Sequence, residues 1–540
     1  MKKIILLMLI GTLLFSYTTT RQEPASAATL PYHDISTSYA REAISRLHAG
    51  GIMQGTTTTA FSPKRSVTRA EFITVLMRAL GITPASSAIP AYTDVPRSTW
   101  YYGAIQAATE LGLTSGLGNG TFQPDQVLTR QEAAVWLTKA LKQDIPTASS
   151  LSAYRDTSSI AAWAKPYVAA ISTLGLMQGS EGRFYPLQSI TRQETAVIFD
   201  RLLEDTRWKN KLTANAESTT STAIHIGWQY GQSTEAYQRS VLQSNINVLS
   251  PRWYFLESTG QISDSTVPSL NTWAKANGKQ VWAMVGNRFD QKATHQMLAS
   301  DSLSSTAIQS IKSYVQKYNL AGINLDFENV HASDRDLFTS FIAKLAEELH
   351  NAEAVLSVDL PPDLGSDWSA AYNYAELAKH ADYLVIMAYD EHWTGYKAGS
   401  VASLNWVEQH LDKLLPQVPA DQLILGMPLY TRDWAINAQG ATLSSEDLSL
   451  PEQNKRVQAA GSSLKWNSAA SQYTTEYWKA NTKHRIWLED ARSLSAKLQL
   501  GTNLGLAGYA YWHIGGESSD IWASLRNAEK YGNYRFDRSK

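Results

Sequence analysis

Two carboxylates and one amide occupy alternate positions of a short apolar segment, and these residue types at this spacing suit acid–base chemistry. The segment reads Gly322-Ile323-Asn324-Leu325-Asp326-Phe327-Glu328. If it forms a β-strand, Asn324, Asp326 and Glu328 share one face and the apolar residues share the other. Buried charges are costly unless they are paired, so packing alone does not explain the polar face. The carboxylates would lie about 6–7 Å apart, close enough to hold one proton between them and raise one pKa, as a general acid requires.

The elements around this segment predict a closed parallel barrel. Short apolar runs alternate with helix-length stretches over residues 223–535, and one such stretch is Asp334–His350. The predicted strands are 223–230, 246–250, 280–286, 322–328, 354–360, 383–389, 423–429 and 506–513. Eight alternations indicate a (β/α)8 TIM barrel, in which chemistry lies at the C-terminal ends of the strands. Residues 430–505 exceed the length of one helix and predict a small inserted element over the rim.

The fourth predicted strand resembles the catalytic strand of glycoside hydrolase family 18, whose motif is Asp-Gly-x-Asp-x-Asp-x-Glu. The resemblance extends over residues 223 to about 530. Met387-Ala388-Tyr389-Asp390 is similar to the family's Met-x-Tyr-Asp, and Trp512 to the Trp that ends strand eight. Two positions depart from the motif, because Ala321 and Asn324 stand where it has its first and second Asp. An Asn at the second position resembles the branch of spore-cortex and peptidoglycan N-acetylglucosaminidases.

This resemblance implies substrate-assisted catalysis with retention of the anomeric configuration. Glu328 would protonate the glycosidic oxygen while the substrate's own 2-acetamido oxygen attacks the anomeric carbon. Asp326 would orient the acetamido N–H, and Tyr389 and Asp390 would hold the acetamido group. Asn324 cannot take a proton, so we expect Asp326 to depend more on Glu328 and Tyr389 for its hydrogen bonds. No cofactor and no metal is expected.

Several polar and aromatic residues at or beyond the predicted strand ends are candidates for lining the sugar subsites. The resemblance implies that Trp512 floors a sugar subsite. The other predicted substrate-binding residues are Trp253, Asn287, Tyr430, Arg432 and Glu517. Weaker candidates of the same kind are Arg288, Asp359 and Trp434. For each of these residues, packing or loop anchoring is the alternative interpretation.

Three similar units precede the barrel, over residues 32–84, 92–145 and 154–205. Each unit opens on Tyr-x-Asp and closes on Thr-Arg-x-Glu, and the closing motifs begin at Thr68, Thr129 and Thr191. Thr-x-x-Glu before an apolar run predicts a capping box at a helix N-terminus. Each unit therefore predicts helix, loop, helix. A cap explains the Thr and the Glu but not the Arg, which the helix dipole disfavours at this position.

The repeats resemble S-layer homology domains, which implies an all-α, pseudo-three-fold arrangement that binds secondary cell-wall polysaccharide in grooves between repeats. By position, the arginines would pair with an acidic group of that polymer, since Arg binds carboxylates in a bidentate geometry. The predicted polymer-binding residues are Arg69, Arg130, Arg192, Trp100, Trp163, Asp34, Asp94 and Asp156. The first repeat departs from the others, because it has Tyr39 where they have Trp.

The N-terminus predicts export from the cell. Lys2 and Lys3 precede an apolar run, and Ala25-Ser26-Ala27 follows, as in a secretory signal peptide of residues 1–27. The apolar run is too short for an ordinary membrane-spanning helix, and no later segment suggests a membrane span in the mature chain. The polar, aperiodic residues 206–222 indicate a linker between the repeats and the barrel. Export without cysteine suggests the surface of a Gram-positive bacterium.

The composition excludes several classes of function. The chain has 540 residues, which at roughly 150 per domain predicts several domains, and its hydrophobic content of 44% indicates a folded protein. Forty-eight basic against 49 acidic residues exclude the broad basic surface of a nucleic-acid binder. The absence of cysteine excludes disulfides, thiolate zinc sites and a cysteine nucleophile.

Together these patterns predict a surface-anchored glycosidase that cleaves β-1,4 bonds after N-acetylglucosamine, with peptidoglycan favoured as the substrate. Two alternatives stay open on the sequence alone. One is a chitinase, which would use the same chemistry. The other is a non-catalytic glycan-binding or S-layer structural protein, whose signature would be the loss of the Glu that stands at 328.

Overall fold

The computed structural model describes residues 30–143, 151–206, 208–209 and 223–534. The predicted signal peptide and nearly all of the predicted linker lie outside these residues. None of the helices in the described part of the chain combines the length and the apolar character that crossing a bilayer requires.

Eight parallel strands close into a barrel, so the predicted TIM barrel is confirmed. The barrel strands are β1 Ile224–Gln229, β2 Val248–Leu256, β4 Gln280–Gly286, β5 Gly322–Asp326, β6 Val355–Leu360, β7 Tyr383–Met387, β8 Leu423–Pro428 and β14 Gly508–Trp512. They pair in the order β1-β2-β4-β5-β6-β7-β8-β14, and β14 returns to β1. A short strand, β3 (Ile262–Asp264), pairs antiparallel with the end of β2.

Alternation along each strand separates two hydrophobic layers. Side chains such as Ile226, Trp228, Met284 and Ala510 fill the barrel interior as one cluster. The intervening side chains pack outward and join the larger core beneath the helices. Polar side chains on the inward face of β5 therefore project into the barrel interior beside this apolar cluster.

The helices of the barrel domain follow the strands in the alternation that the sequence predicts. They are α7 Thr234–Gln243, α8 Pro268–Ala276, α9 Gln291–Leu298, α10 Asp301–Tyr318, α11 Arg335–His350, α12 Asp367–Ala370, α13 Tyr374–Leu377, α14 Leu404–Leu414, α15 Leu450–Ala460, α16 Ala491–Leu504 and α17 Ile521–Asn533. The predicted helix after β5 begins at Arg335, one residue later than expected, and ends at His350 as expected.

The rim insertion between β8 and β14 is a five-stranded antiparallel sheet with the helix α15. Its strands are β9 Tyr430–Ile436, β10 Thr442–Ser449, β11 Lys465–Asn467, β12 Gln472–Lys479 and β13 Thr482–Trp487. They lie in the order β10-β9-β13-β12-β11. Leu429 alone lies between the end of β8 and the start of β9, so the insertion is joined closely to the end of a barrel strand.

The three N-terminal repeats each contribute two helices, as predicted. These helices are α1 Arg41–Ala49, α2 Arg69–Ala79, α3 Tyr102–Glu110, α4 Arg130–Ala140, α5 Lys165–Thr173 and α6 Arg192–Glu204. The predicted capping boxes are present at Thr68, Thr129 and Thr191. Each first helix leads into a glycine with φ between 71° and 74°, as its left-handed end requires.

A closed ring of backbone hydrogen bonds joins the repeats. The amide of Val67 donates to Ile190 O (2.9 Å), that of Ile190 to Leu128 O (2.9 Å), and that of Leu128 to Val67 O (3.0 Å). Each repeat therefore contributes one donor and one acceptor to a triangle at the centre. This ring gives the repeats their pseudo-three-fold arrangement.

The repeats dock against the last helix of the barrel domain, α17. Asn527 makes two hydrogen bonds with the backbone of Thr83, at 3.0 and 2.7 Å. The ammonium of Lys142 donates to Tyr531 O (2.5 Å) and Gly532 O (2.9 Å). Polar contacts in both directions thus fix the repeats on the barrel domain.

This interface buries an acidic side chain, Glu110 at the end of α3. Neither carboxylate oxygen has a hydrogen-bond partner among the described residues. Burial raises the pKa of Glu110 to about 8, and the negative charges of Asp490 and Asp520 act in the same direction. An ionised Glu110 would therefore oppose docking.

We expect Glu110→Gln to change how stability depends on pH. Because the pKa is raised in the folded state, the wild-type protein takes up a proton on folding between its ordinary value and about 8, and it loses stability as pH rises through that range. The variant should be more stable than the wild type at pH 8–9 by on the order of a few kcal/mol, with a smaller difference at pH 5. Calorimetry over pH 5–9 measures this difference, with the exposed Glu42→Gln as control. A difference that does not vary with pH would contradict this account of Glu110.

Candidate active site

Strand β5 carries the predicted acid–base residues to the C-terminal end of the barrel. Asn324 is fully buried inside the barrel, Asp326 is the last strand residue, and Glu328 follows two residues later. Both carboxylates are partly exposed. The sequence predicts a strand that continues to Glu328. In the structure the strand ends two residues earlier, at Asp326.

The amide of Asn324 connects four strands of the barrel. Its Oδ1 accepts hydrogen bonds from Trp228 Nε1 (2.7 Å) on β1 and Ser250 Oγ (2.9 Å) on β2. Its Nδ2 donates to Ser357 Oγ (3.0 Å) and Asp359 Oδ1 (2.6 Å), both on β6. An indole N–H can only donate, so Trp228 fixes which end of the amide faces β1 and leaves the N–H groups for Asp359.

Asp359 and Asp326 form a carboxylate pair inside the barrel. Oδ1 of Asp326 and Oδ2 of Asp359 have no hydrogen-bond partner among the described residues. Burial raises the pKa of both groups, and the charge of Asp326 raises the pKa of Asp359 further. The pair therefore binds a proton more tightly than two separate carboxylates in water would.

Glu328 has the environment of a general acid. The side chain of Asn287 holds its backbone, since Nδ2 donates to Glu328 O (2.7 Å) and Oδ1 accepts from Glu328 N (3.1 Å). Burial raises the pKa of Glu328 well above its usual range, and the negative charges of Asp326 and Asp390 raise it further. Asn287 is predicted to bind substrate, but it is 1% exposed and in this arrangement positions the acid.

Tyr389 and Asp390 follow strand β7, which lies two strands from β5 around the barrel, and Asp390 belongs to a polar cluster. Tyr430 donates from its hydroxyl to Asp390 Oδ1 (2.6 Å), and Arg432 lies 3.2 Å from the same oxygen and 2.5 Å from Asp447. Burial raises the pKa of Tyr389, and the charge of Glu328 adds to this effect. Tyr389 therefore keeps its phenolic proton and can donate a hydrogen bond near Glu328.

Trp512 ends β14 beside two other aromatic residues. Its ring centroid lies 6.0 Å from that of Trp228 and 5.4 Å from that of Tyr230. Trp512 is partly exposed and packs on the interior cluster of the barrel. It is therefore placed at the top of the barrel interior, where a flat sugar face could stack.

The structure places two further predicted residues differently. Trp253 is 4% exposed and packs in the outer core, because it points away from the inward positions of β2. Glu517 accepts hydrogen bonds from Gly515 N (2.6 Å) and Trp522 Nε1 (3.2 Å), so it fastens the loop after β14. In this arrangement Trp253 does not reach the cleft, and the side chain of Glu517 is engaged by its own loop.

Several residues of the site have no counterpart among those predicted. They are Trp228, Ser250, Arg252 and Ser357. For Ser250, Arg252 and Ser357, the signal that could have found them is alternation along β2 and β6, which places them on the inward face, whereas Trp228 is an aromatic residue on β1. The predicted Trp253 is the outward neighbour of the inward Arg252.

The predicted polymer-binding arginines are buried between the repeats, at 4–7% exposure. Each donates across a repeat boundary to a backbone carbonyl and forms an ion pair with a capping-box Glu. The contacts run from Arg69 to Phe122 O (2.9 Å) and Glu132 (2.9 Å), from Arg130 to Phe184 O (3.0 Å) and Glu194 (3.1 Å), and from Arg192 to Phe61 O (2.8 Å) and Glu71 (3.5 Å). These contacts explain the Arg that a helix cap alone does not, and polymer binding by the arginines stays a prediction.

The other predicted polymer-binding residues divide into two groups. Asp34, Asp94 and Asp156 each accept two backbone N–H bonds from the Phe-containing loop of their own repeat, at 2.7–2.9 Å. Trp100 and Trp163 are 65% and 54% exposed, and Tyr39 is 69% exposed. The carboxylates therefore order the loops, while the aromatic residues are open to a ligand in all three repeats.

Comparison with sequence families gives two matches. The family described as "Glycosyl hydrolases family 18" matches residues 218–517. The S-layer homology domain matches residues 31–73, 91–134 and 153–196. The first match covers more than half of the chain and contains the site around Glu328.

Individual relatives agree with these families. The uncharacterized glycosylase YvbX of Bacillus subtilis is 26% identical over 316 residues, which are 56% of this chain and 91% of that protein. The cortical fragment-lytic enzyme of B. subtilis is 24% identical over 234 residues, 42% of this chain, and the chain spans about half (54%) of its length. The crystal structure of a chitinase from Chromobacterium violaceum is similar with a TM-score of 0.53 at 25% identity, covering 57% of this chain and 98% of the chitinase.

We expect Asn324→Asp to move the pH dependence of kcat/KM. The introduced group could accept from Trp228 and Ser250, but it could donate to Asp359, as the amide does, only after taking up a proton. A carboxyl group added to Asp326, Asp359 and Glu328 should raise the pKa values of these neighbours, so both limbs of the profile should move to higher pH by about one unit. The exposed Asn351→Asp should leave the profile in place. An unchanged profile for Asn324→Asp would show that the buried cluster does not control the titration of Glu328.

Proposed function

The chain belongs to glycosyl hydrolase family 18, and we propose that it cleaves β-1,4 bonds after N-acetylglucosamine in peptidoglycan by substrate-assisted, retaining catalysis. It is thus a glycoside hydrolase that carries three S-layer homology repeats. The single observation that carries the proposed mechanism is the contrast between the two partly exposed carboxylates. Burial and neighbouring charges raise the pKa of Glu328 well above its ordinary range, so Glu328 holds a proton. Burial raises the pKa of Asp326 only to about 6, and its Oδ1 has no donor among the described residues.

This contrast suits the two tasks of the mechanism. Glu328 donates its proton to the glycosidic oxygen as the bond to the anomeric carbon breaks. The 2-acetamido oxygen of the substrate attacks that carbon and forms an oxazolinium ion. Asp326 Oδ1 accepts a hydrogen bond from the acetamido N–H, which satisfies the unpaired oxygen and stabilises the developing positive charge. Glu328 then removes a proton from water, which opens the ring with retention.

Residues that follow β7 would complete the acetamido pocket. Tyr389 stays protonated and can donate to the acetamido oxygen before it attacks. Asp390 is held by Tyr430 and Arg432, so its orientation does not depend on substrate. Trp512 provides an apolar surface for the sugar ring at the end of β14.

Two observations favour peptidoglycan as the substrate. The cortical fragment-lytic enzyme, whose name describes lysis of cortical fragments, is a relative over 42% of this chain. The S-layer homology repeats indicate a cell-surface location, where peptidoglycan is the nearest polymer that contains N-acetylglucosamine. A chitinase is the second candidate, and the likeness to the Chromobacterium chitinase supports it.

We also propose that the repeats anchor the enzyme to secondary cell-wall polysaccharide. The exposed aromatic residue of each repeat supports this, and the surroundings of Tyr39 place it at a repeat boundary. Ser38, its neighbour, donates to Gln193 of the third repeat (3.0 Å). Burial raises the pKa of Tyr39, and the negative charge of Glu194 in the third repeat raises it further. A polymer that binds beside Tyr39, between the first and third repeats, would contact both repeats at once.

We expect Glu328→Gln to abolish hydrolysis. General acid–base catalysis contributes about 100- to 10,000-fold, and a glutamine can neither donate the proton nor accept it back. The measurement is mass spectrometry of the products from purified peptidoglycan and from chitin oligosaccharides, with NMR of the first-formed anomer. The exposed Glu353→Gln is the matched control.

Each product pattern decides between the candidates. Muropeptides with a reducing N-acetylglucosamine, released first as the β-anomer and absent with Glu328→Gln, would support the proposed function. Chito-oligosaccharides alone would establish a chitinase. A first-formed α-anomer would exclude the substrate-assisted mechanism.

We expect the double variant Trp100→Ala, Trp163→Ala to lose binding to cell walls. Both side chains are exposed, so their removal should leave the melting temperature nearly unchanged while it removes the sugar-stacking surfaces. Co-sedimentation with purified walls measures binding, with and without acid extraction of the secondary polysaccharide. Trp478→Ala removes an equally exposed Trp from the rim insertion and is the control. Equal sedimentation of the double variant and the control would contradict anchoring through these aromatic residues.

A further inference from the structure

A cationic side chain, Arg252, lies beside the catalytic carboxylates on the inward face of β2. The preceding inward residue, Ser250, donates to Asn324 (2.9 Å), which fixes the direction in which this face points. One inward step further along the two strands are Arg252 on β2 and Asp326 on β5. The positive charge of Arg252 accordingly lowers the pKa of both Asp326 and Glu328, against the effect of burial.

Arg252 has no counter-ion among the described residues. Its Nε is buried without a hydrogen-bond partner, and no carboxylate of the described chain lies within 4 Å of its guanidinium. Two other arginines near the rim differ in this respect. Arg432 pairs with Asp390 and Asp447, and Arg288 pairs with Glu257. A partly desolvated guanidinium without a partner is unfavourable in the free protein, and a ligand carboxylate would relieve this cost.

The surroundings of Arg252 connect it to the predicted sugar floor. Its Cζ lies 5.0 Å from the ring centroid of Tyr230 and 5.4 Å from that of Phe255. Tyr230 in turn lies 5.4 Å from Trp512. The guanidinium is therefore held by aromatic rings at one side of the cleft, one ring away from the surface on which the reacting sugar would stack.

We propose that Arg252 binds a free carboxylate on the sugar next to the cleaved N-acetylglucosamine. The carboxylate that fits is the lactyl group of a muramic acid residue that no longer carries its stem peptide. This inference rests on the proposed function, because it takes peptidoglycan glycan as the substrate class. Chitin has no charged group to offer, and in peptide-bearing strands the lactyl carboxyl is an uncharged amide. Hydrolysis of that amide, by an amidase-type reaction, must therefore supply the preferred substrate.

The test measures binding in the inactive Glu328→Gln background, with and without Arg252→Gln. Calorimetry would use four ligands: peptide-free glycan strands, the same strands with their carboxyls converted to methylamides, peptide-bearing strands, and chitin oligosaccharides. Arg252→Gln should weaken binding of the peptide-free strands about 10- to 100-fold. Amidation should weaken binding to the parent by a similar factor, and the two changes together should cost little more than either one.

Two further variants sharpen this test. Arg252→Lys keeps the charge but not the bidentate geometry, so it should restore part of the affinity. Arg239→Gln removes the same charge from the exposed face of α7 and should change nothing. With the active enzyme, the ratio of kcat/KM on peptide-free strands to kcat/KM on chitin oligosaccharides should fall by the same factor in Arg252→Gln.

The possible failures are distinguishable. In one outcome, Arg252→Gln weakens the binding of all four ligands equally, or changes only the pH profile of the active enzyme. Either result would show that Arg252 acts on the catalytic carboxylates, and the inference would be wrong. If the loss is confined to peptide-bearing strands, the carboxylate is one of the stem peptide and not the lactyl group. If the Glu328→Gln protein binds none of the peptidoglycan ligands, the proposed function itself fails.

Discussion

The arrangement of the active site depends on one buried amide. Asn324 sits at the centre of the barrel, where water cannot compensate an unpaired polar atom, and all four of its hydrogen bonds are made by side chains of β1, β2 and β6. The Trp228 indole fixes the orientation of the amide, and the amide fixes the nearest oxygen of Asp359. Asp359 and Asp326 are then left with unpaired oxygens in a space that opposes ionisation. The raised pKa of Glu328, which suits it to act as an acid, follows from burial and from the negative charges of Asp326 and Asp390.

The repeats also contain buried charged side chains that need partners, and here the charge is positive. Each buried arginine reaches into the next repeat and finds a carbonyl and a carboxylate there, so no repeat can satisfy its own charge. The capping-box glutamates thus serve two partners, the helix N-terminus of their own repeat and the arginine of another. Because each arginine pairs with a glutamate of another repeat, all three copies are needed before every arginine has a partner. This explains why the Thr-Arg-x-Glu motif recurs with its arginine in all three.

The sequence predicts the barrel well because parallel strands buried on both faces appear as short apolar runs. It also predicts Asp326 and Glu328, since polar residues at alternate positions of such a run are conspicuous. Arg252 is not predicted from the sequence, because its neighbour Trp253 has the residue type expected at a sugar subsite. Alternation along β2 nevertheless directs Trp253 outward. The partners of Asn324 come from three other strands, and the spacing along one strand carries no information about them. The antiparallel sheet of the insertion is not predicted either, because β10, β11 and β13 consist mostly of polar, incompletely buried residues and form no apolar runs.

The repeats contact the barrel domain through α17, through Gln499 on α16 and through the rim insertion, and α17 leads back directly to the candidate active site. The helix α17, which receives Thr83 and Lys142 of the repeats, follows β14, and β14 ends at Trp512. Glu517 fastens the intervening loop by accepting from Gly515 and from Trp522 on α17. The segment 513–520 leads from Trp512 to the start of α17. If the repeats bind wall polymer as proposed, this docking would hold the cleft in a fixed orientation to that polymer and would restrict which glycan strands reach Glu328.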